Sequence, residues 1–285
     1  DVYCEKPVCI TIREGRAVAA ACERYGRIYQ GGTQQRSEYE GKFRRACDLV
    51  RNGRIGELKE VYAYRLPGAL FPSAWTGTEN RPVPDGFDWD RWLGPLPWRP
   101  YGGEAGHTLN GLFVGDVNWA PHHYDFIQWV LDAGNTGPVA AWPENGAVHM
   151  RYANGVVVHS TPYPGEGVGG EGGACFVGTE GRIAVDRSNL VSDPPSILKE
   201  PLHPGDDHVY HTTSHSGNFL ECIRSRRLTI ADAETAVRSM SSVLVGGIAL
   251  ALGREVTWDP VAETFPDDRE ANALLAYSPR PPWCI

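Results

Sequence analysis

The chain opens with "DVYCEKPVCITIREGRAVAAACERYGRIYQGG" (residues 1–32), and this stretch decides the fold class. Its first residues are a short apolar run that is typical of a strand. Thr11, followed three residues later by Glu14, predicts a capping box at the start of a helix. Gly26 is a helix stop signal, and residues 27–32 predict a second strand. A strand, a helix and a strand in this order indicate a parallel sheet with right-handed crossovers.

The residues that follow extend this α/β pattern by one helix. Phe43, Cys47 and Val50 recur at helical spacing, so we predict a helix that begins at Ser37 and ends at Val50. Two strands are too few for a doubly wound sheet. The segment therefore predicts the last third of such a domain, and we expect its first part to be missing from this chain.

The sequence pattern changes beyond residue 55. A strand is predicted from Leu58 to Leu66, and a helix from Trp119 to Leu131. Further strands are predicted at residues 147–152, 155–160, 174–177 and 182–186, and two more helices within residues 215–253. The glycines of "GTEG" (residues 178–181) indicate a hairpin between the last two strands. We therefore expect residues 56–285 to form an α+β domain with a large open, mainly antiparallel sheet.

Composition excludes several classes of protein. A formal net charge of -8 argues against nucleic-acid binding, which requires clustered Lys and Arg. The apolar run from Val243 to Leu252 is about half the length of a membrane span and predicts a buried helix. The seven cysteines are odd in number and lack a C-x-x-C pair, which favours a reducing compartment and no metal site. We expect a cytoplasmic protein, with secretion left open because the sequence begins without Met.

Three motifs give the chain a resemblance to a known family. "EKP" (residues 5–7), "GTQQRS" (32–37) and "NWAPHHYDF" (118–126) resemble the Gfo/Idh/MocA oxidoreductases. Three later stretches resemble the planctomycete- and Bacteroidetes-type branch: "FVGTEGRIAVD" (176–186), "SHSGNFLECIRSRR" (214–227) and "WDPVAETFPDDREANALL" (258–275). Together these matches extend over essentially the whole chain.

The resemblance implies a domain organisation and a cofactor. Residues 1–55 would be the C-terminal remnant of a Rossmann domain that binds NAD or NADP, and residues 56–285 the substrate-binding and oligomerisation domain. In the family the glycine-rich phosphate loop lies upstream of "EKP", so we expect this chain alone to bind NAD weakly or not at all. Residues 167–172 match G-x-G-x-x-G, but a strand-like run follows them. That position predicts an inter-strand loop, because the fingerprint requires a helix there.

The resemblance also implies three catalytic residues. Lys6 follows a strand end and would stabilise a developing alkoxide, while Glu5, Lys6 and Pro7 would contact the cofactor. His122 would accept the proton, with a pKa near neutrality. Asn118 stands where the family has Asp, and an amide orients a substrate but takes no proton. Plain alternatives are a surface ion pair for Lys6, a helix N-cap for Asn118 and a hydrogen-bonded core histidine for His122.

Five further residues are candidates for substrate binding: Gln34, Gln35, Arg36, Trp119 and His215. The first three follow a strand end, where α/β sites usually lie, and Arg36 would suit a hydroxyl-rich or acidic substrate. A solvated turn explains Arg36 equally well, and a lone structural histidine explains His215. The tryptophans Trp75, Trp89, Trp92 and Trp98 fit either sugar stacking or the packing of a long loop.

The favoured hypothesis is an NAD(P)-dependent oxidoreductase that acts on a sugar, polyol or glycoside. One alternative is a truncated, non-catalytic homologue that serves as a carbohydrate-binding or oligomeric scaffold. Another is an NAD-assisted glycoside hydrolase or lyase, since that chemistry also begins with sugar oxidation. We expect a homo-oligomer, a dimer or tetramer formed through the open sheet, and a monomer in light scattering would contradict this.

Overall fold

The computed structural model describes residues 1–64, 81–96, 98, 100–101 and 118–283. Its N-terminal unit is a βαβ crossover: strand β1 (Val2–Cys4), helix α1 (Ile12–Arg24) and strand β2 (Tyr29–Gly31), with β1 and β2 parallel. Thr11 Oγ1 accepts from the Glu14 amide at 3.2 Å, and the Glu14 carboxylate accepts from the Thr11 amide. The predicted capping box is therefore confirmed.

The second helix begins later than predicted. Two short 3-10 turns (Gln34–Arg36 and Tyr39–Gly41) follow β2, and helix α2 is Lys42–Arg51. The predicted start at Ser37 is wrong because Tyr39, Glu40 and Gly41 adopt φ angles of 59°, 58° and 70°. Left-handed residues cannot continue an α-helix, so the chain turns before α2 starts.

A single eight-stranded sheet dominates the rest of the described chain. Its strands are β3 (Leu58–Tyr62), β4 (Ala140–Glu144), β5 (Ala147–Arg151), β6 (Val157–His159), β7 (Ala174–Gly178), β8 (Arg182–Val185), β9 (Leu190–Asp193) and β10 (Val256–Thr257). Their order is β10-β4-β5-β6-β3-β7-β8-β9, and among these strands only β3 and β6 pair in parallel. The expected large, open, mainly antiparallel sheet is confirmed, although β4, β9 and β10 were not predicted.

Helices pack against this sheet at β4, β5, β8 and β9. The described helices beyond α2 are α3 (Trp89–Leu93), α4 (Ala120–Val130), α5 (His215–Ser225), α6 (Ala233–Leu252) and α7 (Arg269–Ala273). Helix α6 packs against α1, α4, β4 and β5, so it joins the N-terminal unit to the large sheet. Among the described helices it alone is long and apolar enough to cross a membrane, yet 72% of its most apolar window is buried within the protein. It is a core helix, as predicted for Val243 to Leu252.

The tryptophans of the long loop pack rather than form an open platform where the structure describes them. Trp89 stacks on Trp92 with ring centroids 5.1 Å apart and contacts Tyr101 edge-on, and it is 5% exposed. Trp98 is exposed, and Trp75 lies outside the described residues. The geometry of Trp89 and Trp92 thus favours the packing interpretation.

Candidate active site

The end of β1 and the start of α4 meet at Lys6. Lys6 Nζ donates to the carbonyl oxygen of Asn118 at 2.9 Å and also to the Asn118 side-chain oxygen. The Lys6–Pro7 peptide bond is cis. Asn118 lies just before the helix N-cap, which is Trp119, so the N-cap alternative for Asn118 is wrong. The structure therefore brings Lys6 and Asn118 together, although 112 residues separate them.

His122 lies in the first turn of α4, beside this pair. Its side chain is buried, and its Nδ1 has no hydrogen-bond partner among the described residues. Burial, followed by the positive charges of Lys6 and Arg187, lowers the pKa of His122 to about 3, although Asp125 opposes the shift. The expectation of a pKa near neutrality is wrong for this structure, because two cations bear on a desolvated ring. At neutral pH the imidazole is uncharged and able to accept a proton.

Gln35 is the second buried polar side chain without a partner here. It is 1% exposed, and neither its Nε2 nor its Oε1 forms a hydrogen bond within the part of the chain that the structure describes. A Cβ built on Gly172 would overlap Gln35 Nε2 and lie 3.1 Å from the Cβ of His122. Only glycine leaves room here, and its φ of 73° is also one that glycine tolerates best. Gln35 and His122 thus meet beneath Gly172.

The glycine-rich segment around Gly172 is held over α4 by His123. His123 Nδ1 lies 2.5 Å from the carbonyl oxygen of Gly173, and the Gly172 amide donates to His123 Nε2 at 3.3 Å. These two partners assign the proton to Nδ1. Strand β7 follows the segment directly, so residues 167–172 are an inter-strand loop as predicted. The segment closes over His122 rather than opening a helix.

Arg36 has a different environment from the one predicted. It is 4% exposed, and its guanidinium forms two hydrogen bonds to the Asp125 carboxylate, at 2.7 and 3.0 Å. Ser239 Oγ donates to the same carboxylate at 2.8 Å. These contacts engage the Nε and Nη2 donors of Arg36 in a buried ion pair that ties the turn after β2 to α4, and they favour a structural role over the predicted substrate contact.

His215 is likewise fully engaged. Its Nε2 donates to the Gly31 carbonyl at 2.8 Å, and its Nδ1 accepts from Ser37 Oγ at 2.6 Å. The proton is assigned to Nε2 from these partners. Burial lowers the pKa of His215, so the ring is neutral. His215 therefore fits the structural-histidine alternative, in which the ring joins α5 to the end of β2.

The remaining predicted residues lie around the loop after β1. Gln34 Nε2 donates to Glu5 Oε1 at 3.2 Å and to the Tyr3 hydroxyl at 3.4 Å. The Glu5 carboxylate lies against Gly32, where any side chain would overlap it. Glu5, Lys6, Pro7 and Gln34 thus share one end of the small parallel sheet, which is the carboxyl end where ligands of α/β folds bind.

Sequence reasoning missed Arg187. This residue follows β8, and its guanidinium carbon lies 4.8 Å from the ring centroids of both Tyr39 and Trp119. Trp119 in turn contacts the His122 ring, with centroids 5.8 Å apart. No local motif marks Arg187, because Tyr39 and Trp119 come from distant parts of the chain. Its position just after a strand end was the one available signal.

The described residues fit the reacting, nicotinamide end of a nicotinamide cofactor better than they fit its pyrophosphate. Buried Gln35 and His122 have polar atoms without partners, as expected of groups that meet a ligand. The N-terminus of α1 is already capped by Thr11, and the Glu14 carboxylate accepts there from the amides of Ile10 and Thr11. That carboxylate disfavours a pyrophosphate at this helix end. Within the described ranges the residues fit the reacting end of such a cofactor.

Comparison with known proteins points to oxidoreductases. The model of an oxidoreductase family's C-terminal alpha/beta domain matches residues 41–285. An NAD-binding protein from Listeria innocua has a similar structure, with a TM-score of 0.53 and 16% identity, over 90% of this chain and 71% of that one. A search of curated protein sequences finds no match.

Two further solved structures share the fold. An aldose-aldose oxidoreductase from Caulobacter crescentus, complexed with glycerol, gives a TM-score of 0.53 and 17% identity over 90% of this chain and 71% of that one. The WlbA dehydrogenase from Bordetella pertussis, in complex with NADH and UDP-GlcNAcA, gives 0.53 and 15% over the same shares of the two chains. At these identities the likeness is one of fold.

Proposed function

This chain belongs to the Gfo/Idh/MocA family of oxidoreductases, and on that premise we propose that it oxidises a hydroxyl group of a sugar or polyol with NAD or NADP. Lys6, Asn118 and His122 are the proposed catalytic residues. The observation that carries the proposal is their convergence at one helix end: Asn118 holds the Lys6 ammonium just before α4, and the first turn of α4 carries the buried imidazole of His122.

Each of the three residues has a distinct proposed role. The Lys6 ammonium stabilises negative charge on the substrate oxygen as its proton leaves. Asn118 positions that ammonium through its carbonyl and side-chain oxygens. The imidazole of His122 takes the hydroxyl proton, and a neutral ring is the form that can accept it. The hydroxyl proton would thus leave to His122, while the hydrogen of the C–H bond would leave with its electron pair as a hydride.

The cofactor, when bound, supplies the acceptor for the hydride. Glu5, Lys6 and Pro7 are the proposed contacts of this chain to its reacting end, because they follow the carboxyl end of β1. Gln35 and Trp119 are the proposed substrate contacts: the Gln35 amide can donate to and accept from a sugar hydroxyl, and the Trp119 ring offers a flat apolar face. Arg36 and His215 are not included, since the Nε and Nη2 donors of Arg36 and both ring nitrogens of His215 are engaged elsewhere.

One observation favours a second candidate, a non-catalytic carbohydrate-binding homologue. Asn118 replaces the Asp that the family pattern has, and its side-chain oxygen is bound to Lys6. An amide cannot relay a proton. The dehydrogenase proposal therefore depends on His122 alone for proton transfer, and the experiment below is designed around that residue.

The test is a rate assay of the purified protein with NAD or NADP and a panel of aldoses, polyols and glycosides, followed by the absorbance of the reduced cofactor. We expect His122→Asn and Lys6→Met each to lower kcat/KM by about a hundredfold or more, as loss of a general base or charge stabiliser does. His203→Asn, at an exposed histidine, is the matched control and should keep the wild-type rate.

Three outcomes would separate the candidates. Binding of both the sugar and the cofactor without any reduction of the cofactor would support the non-catalytic homologue. Cleavage of a glycoside with no net cofactor reduction would support the hydrolase or lyase alternative. Turnover that His122→Asn leaves unchanged would contradict the catalytic role assigned to His122.

A further inference from the structure

Arg187 stands apart from the other arginines of the chain. In the described ranges, each of the other buried or half-buried arginines donates to a carboxylate or a backbone carbonyl: Arg16, Arg36, Arg44, Arg45, Arg51, Arg54, Arg182, Arg238 and Arg280. Half-buried Arg187 makes no ion pair or hydrogen bond with the described residues, and its Nε is buried without a partner. In a chain with a formal net charge of -8, a cation without a carboxylate partner needs an explanation.

The surroundings hold the Arg187 guanidinium in one orientation. Tyr39 and Trp119 each lie 4.8 Å from its central carbon, so aromatic rings occupy its surroundings and stabilise the charge. The hydrogen-bonding edge of the group carries the N–H donors, which match the oxygens of a carboxylate or phosphate. The residue thus lies against two aromatic rings, while its N–H donors have no partner among the described residues.

The nearest carboxylate in sequence is used elsewhere. Asp186 Oδ1 accepts from the amides of Ser188 and Asn189 at 2.9 and 2.7 Å, and its Oδ2 accepts from the Gly169 amide at 3.1 Å. Asp186 therefore builds the turn that presents Arg187 and does not neutralise it. This turn also anchors the glycine-rich loop that covers His122.

Arg187 belongs to the same site as the proposed catalytic residues. Trp119 contacts both Arg187 and His122. Burial lowers the pKa of His122 most, and the positive charges of Lys6 and Arg187 lower it further. An anion bound by Arg187 would offset part of this positive field and make His122 a better base.

We infer that Arg187 binds an anionic group of the substrate, so that the substrate class is a sugar or polyol carrying a carboxylate or a phosphate. This inference rests on the proposed function, because it assigns the specificity of the same site. Gln35 would then contact a substrate hydroxyl while Arg187 holds the charged end. The site would select acidic sugar derivatives over their neutral parents.

The test measures binding and does not require turnover. Calorimetric titrations of the protein with glucose, glucuronate and glucose 6-phosphate compare a neutral sugar with a carboxylate and a phosphate. We expect one of the two anions to bind at least about tenfold more tightly than glucose, as a charge-assisted pair with Arg allows. The preferred anion identifies which of the two groups the site takes.

Two variants test whether the preference for an anionic sugar depends on Arg187. Arg187→Met keeps an apolar side chain between Tyr39 and Trp119 but removes the charge, and it should abolish the preference for the anion. Arg182→Met is the matched control, since Arg182 also lies over a tyrosine ring, that of Tyr163, but pairs with Asp193. It should leave the preference intact. Melting curves of both variants check that they remain folded.

Equal affinity of the wild type for glucose and both anions would overturn the inference, as would an Arg187→Met variant that keeps the preference. These outcomes differ from failure of the proposed function. If the anion binds through Arg187 but no cofactor is ever reduced, then the substrate class stands and the redox activity does not.

Discussion

The turn that follows β2 contributes residues to two groups of buried or half-buried polar side chains. The paired cluster consists of Arg36, Asp125, Ser239, Ser37 and His215, whose side chains form hydrogen bonds with one another or with the backbone. The unpaired cluster consists of Gln35, His122 and Arg187, each of which has a buried polar atom without a partner in the described part of the chain.

Neighbouring residues of one short turn supply both clusters. Gln35 and Arg36 are 1% and 4% exposed, so burial alone does not distinguish them. What distinguishes them is whether their polar atoms have partners. A buried polar atom without a partner costs about 1–3 kcal/mol, so a fold that retains several such atoms in one place is suited to a ligand there. The paired cluster, in contrast, is explained by stability.

The largest expected effect is a loss of stability when the ion pair of the paired cluster loses one partner. Asp125→Asn removes the charge opposite buried Arg36 and turns an amide group toward its donors. We expect the free energy of unfolding to fall by about 3–5 kcal/mol, the usual loss when a buried ion pair loses one partner. Urea unfolding monitored by circular dichroism measures it.

The matched control makes the same chemical change at an exposed ion pair. Asp132 pairs with Arg51, and its side chain is 82% exposed. Asp132→Asn should cost less than about 1 kcal/mol, because water screens that pair, and Asn tolerates the left-handed φ of 53° found there. Equal losses in the two variants would show that the Arg36–Asp125 pair gives no special stability, and the paired cluster would lose its structural explanation.

The difference between the clusters also explains which features could be predicted from the sequence: those whose residues are close together in the chain. The Thr11 capping box and the hairpin at residues 178–181 depend on residues close in sequence, and both are found. The roles of Arg36 and His215 depend on Asp125, 89 residues away, and on Gly31, 184 residues away. No local pattern contains those partners, so a substrate role and a packing role were equally consistent with the sequence.

The family resemblance identified some of the candidate site residues that local sequence patterns do not mark, but not all of them. It identified Lys6, Asn118 and His122, which the fold brings together. It did not identify Arg187, whose role arises from aromatic rings contributed by Tyr39 and Trp119. It also placed the pKa of His122 near neutrality, because burial and nearby cations are properties of the folded chain.

A second prediction compares one glutamine outside both clusters with one inside the unpaired cluster. Gln128 and Gln35 are each 1% exposed. The Gln128 amide donates to the carbonyls of Ala133 and Thr136, and its oxygen accepts from the Tyr152 hydroxyl. Gln128→Met should therefore destabilise the protein by about 2–4 kcal/mol, since three partners lose their bonds.

Gln35→Met should behave differently in the same urea experiment. It removes a buried amide that has no partner, so the free energy of unfolding should stay unchanged or rise by about 1 kcal/mol. The same variant should weaken the binding of a sugar ligand. A loss for Gln35→Met as large as that for Gln128→Met would mean that Gln35 has structural partners after all, and the comparison between the clusters would fail at that residue.

The smallest expected effect is a pH dependence that comes from His122. Its pKa in the folded protein is about 3, whereas an unfolded histidine titrates near 6.5. At pH values between these two, the unfolded chain binds a proton that the folded chain does not, so stability falls as the pH falls below about 6.5. Going from about pH 7 to pH 5.5, we expect His122 to account for about 1 kcal/mol of lost stability.

The measurement is the difference between wild type and His122→Asn in urea unfolding at those two pH values. The variant lacks the titrating ring, so its stability should fall by about 1 kcal/mol less than that of the wild type. The lowered pKa of buried His215 acts in the same direction in both proteins and cancels from the difference. His203→Asn controls for the loss of one exposed histidine. If wild type and His122→Asn respond alike to acid, then His122 is not held neutral by its surroundings, and the unpaired cluster loses the residue on which the proposed proton transfer depends.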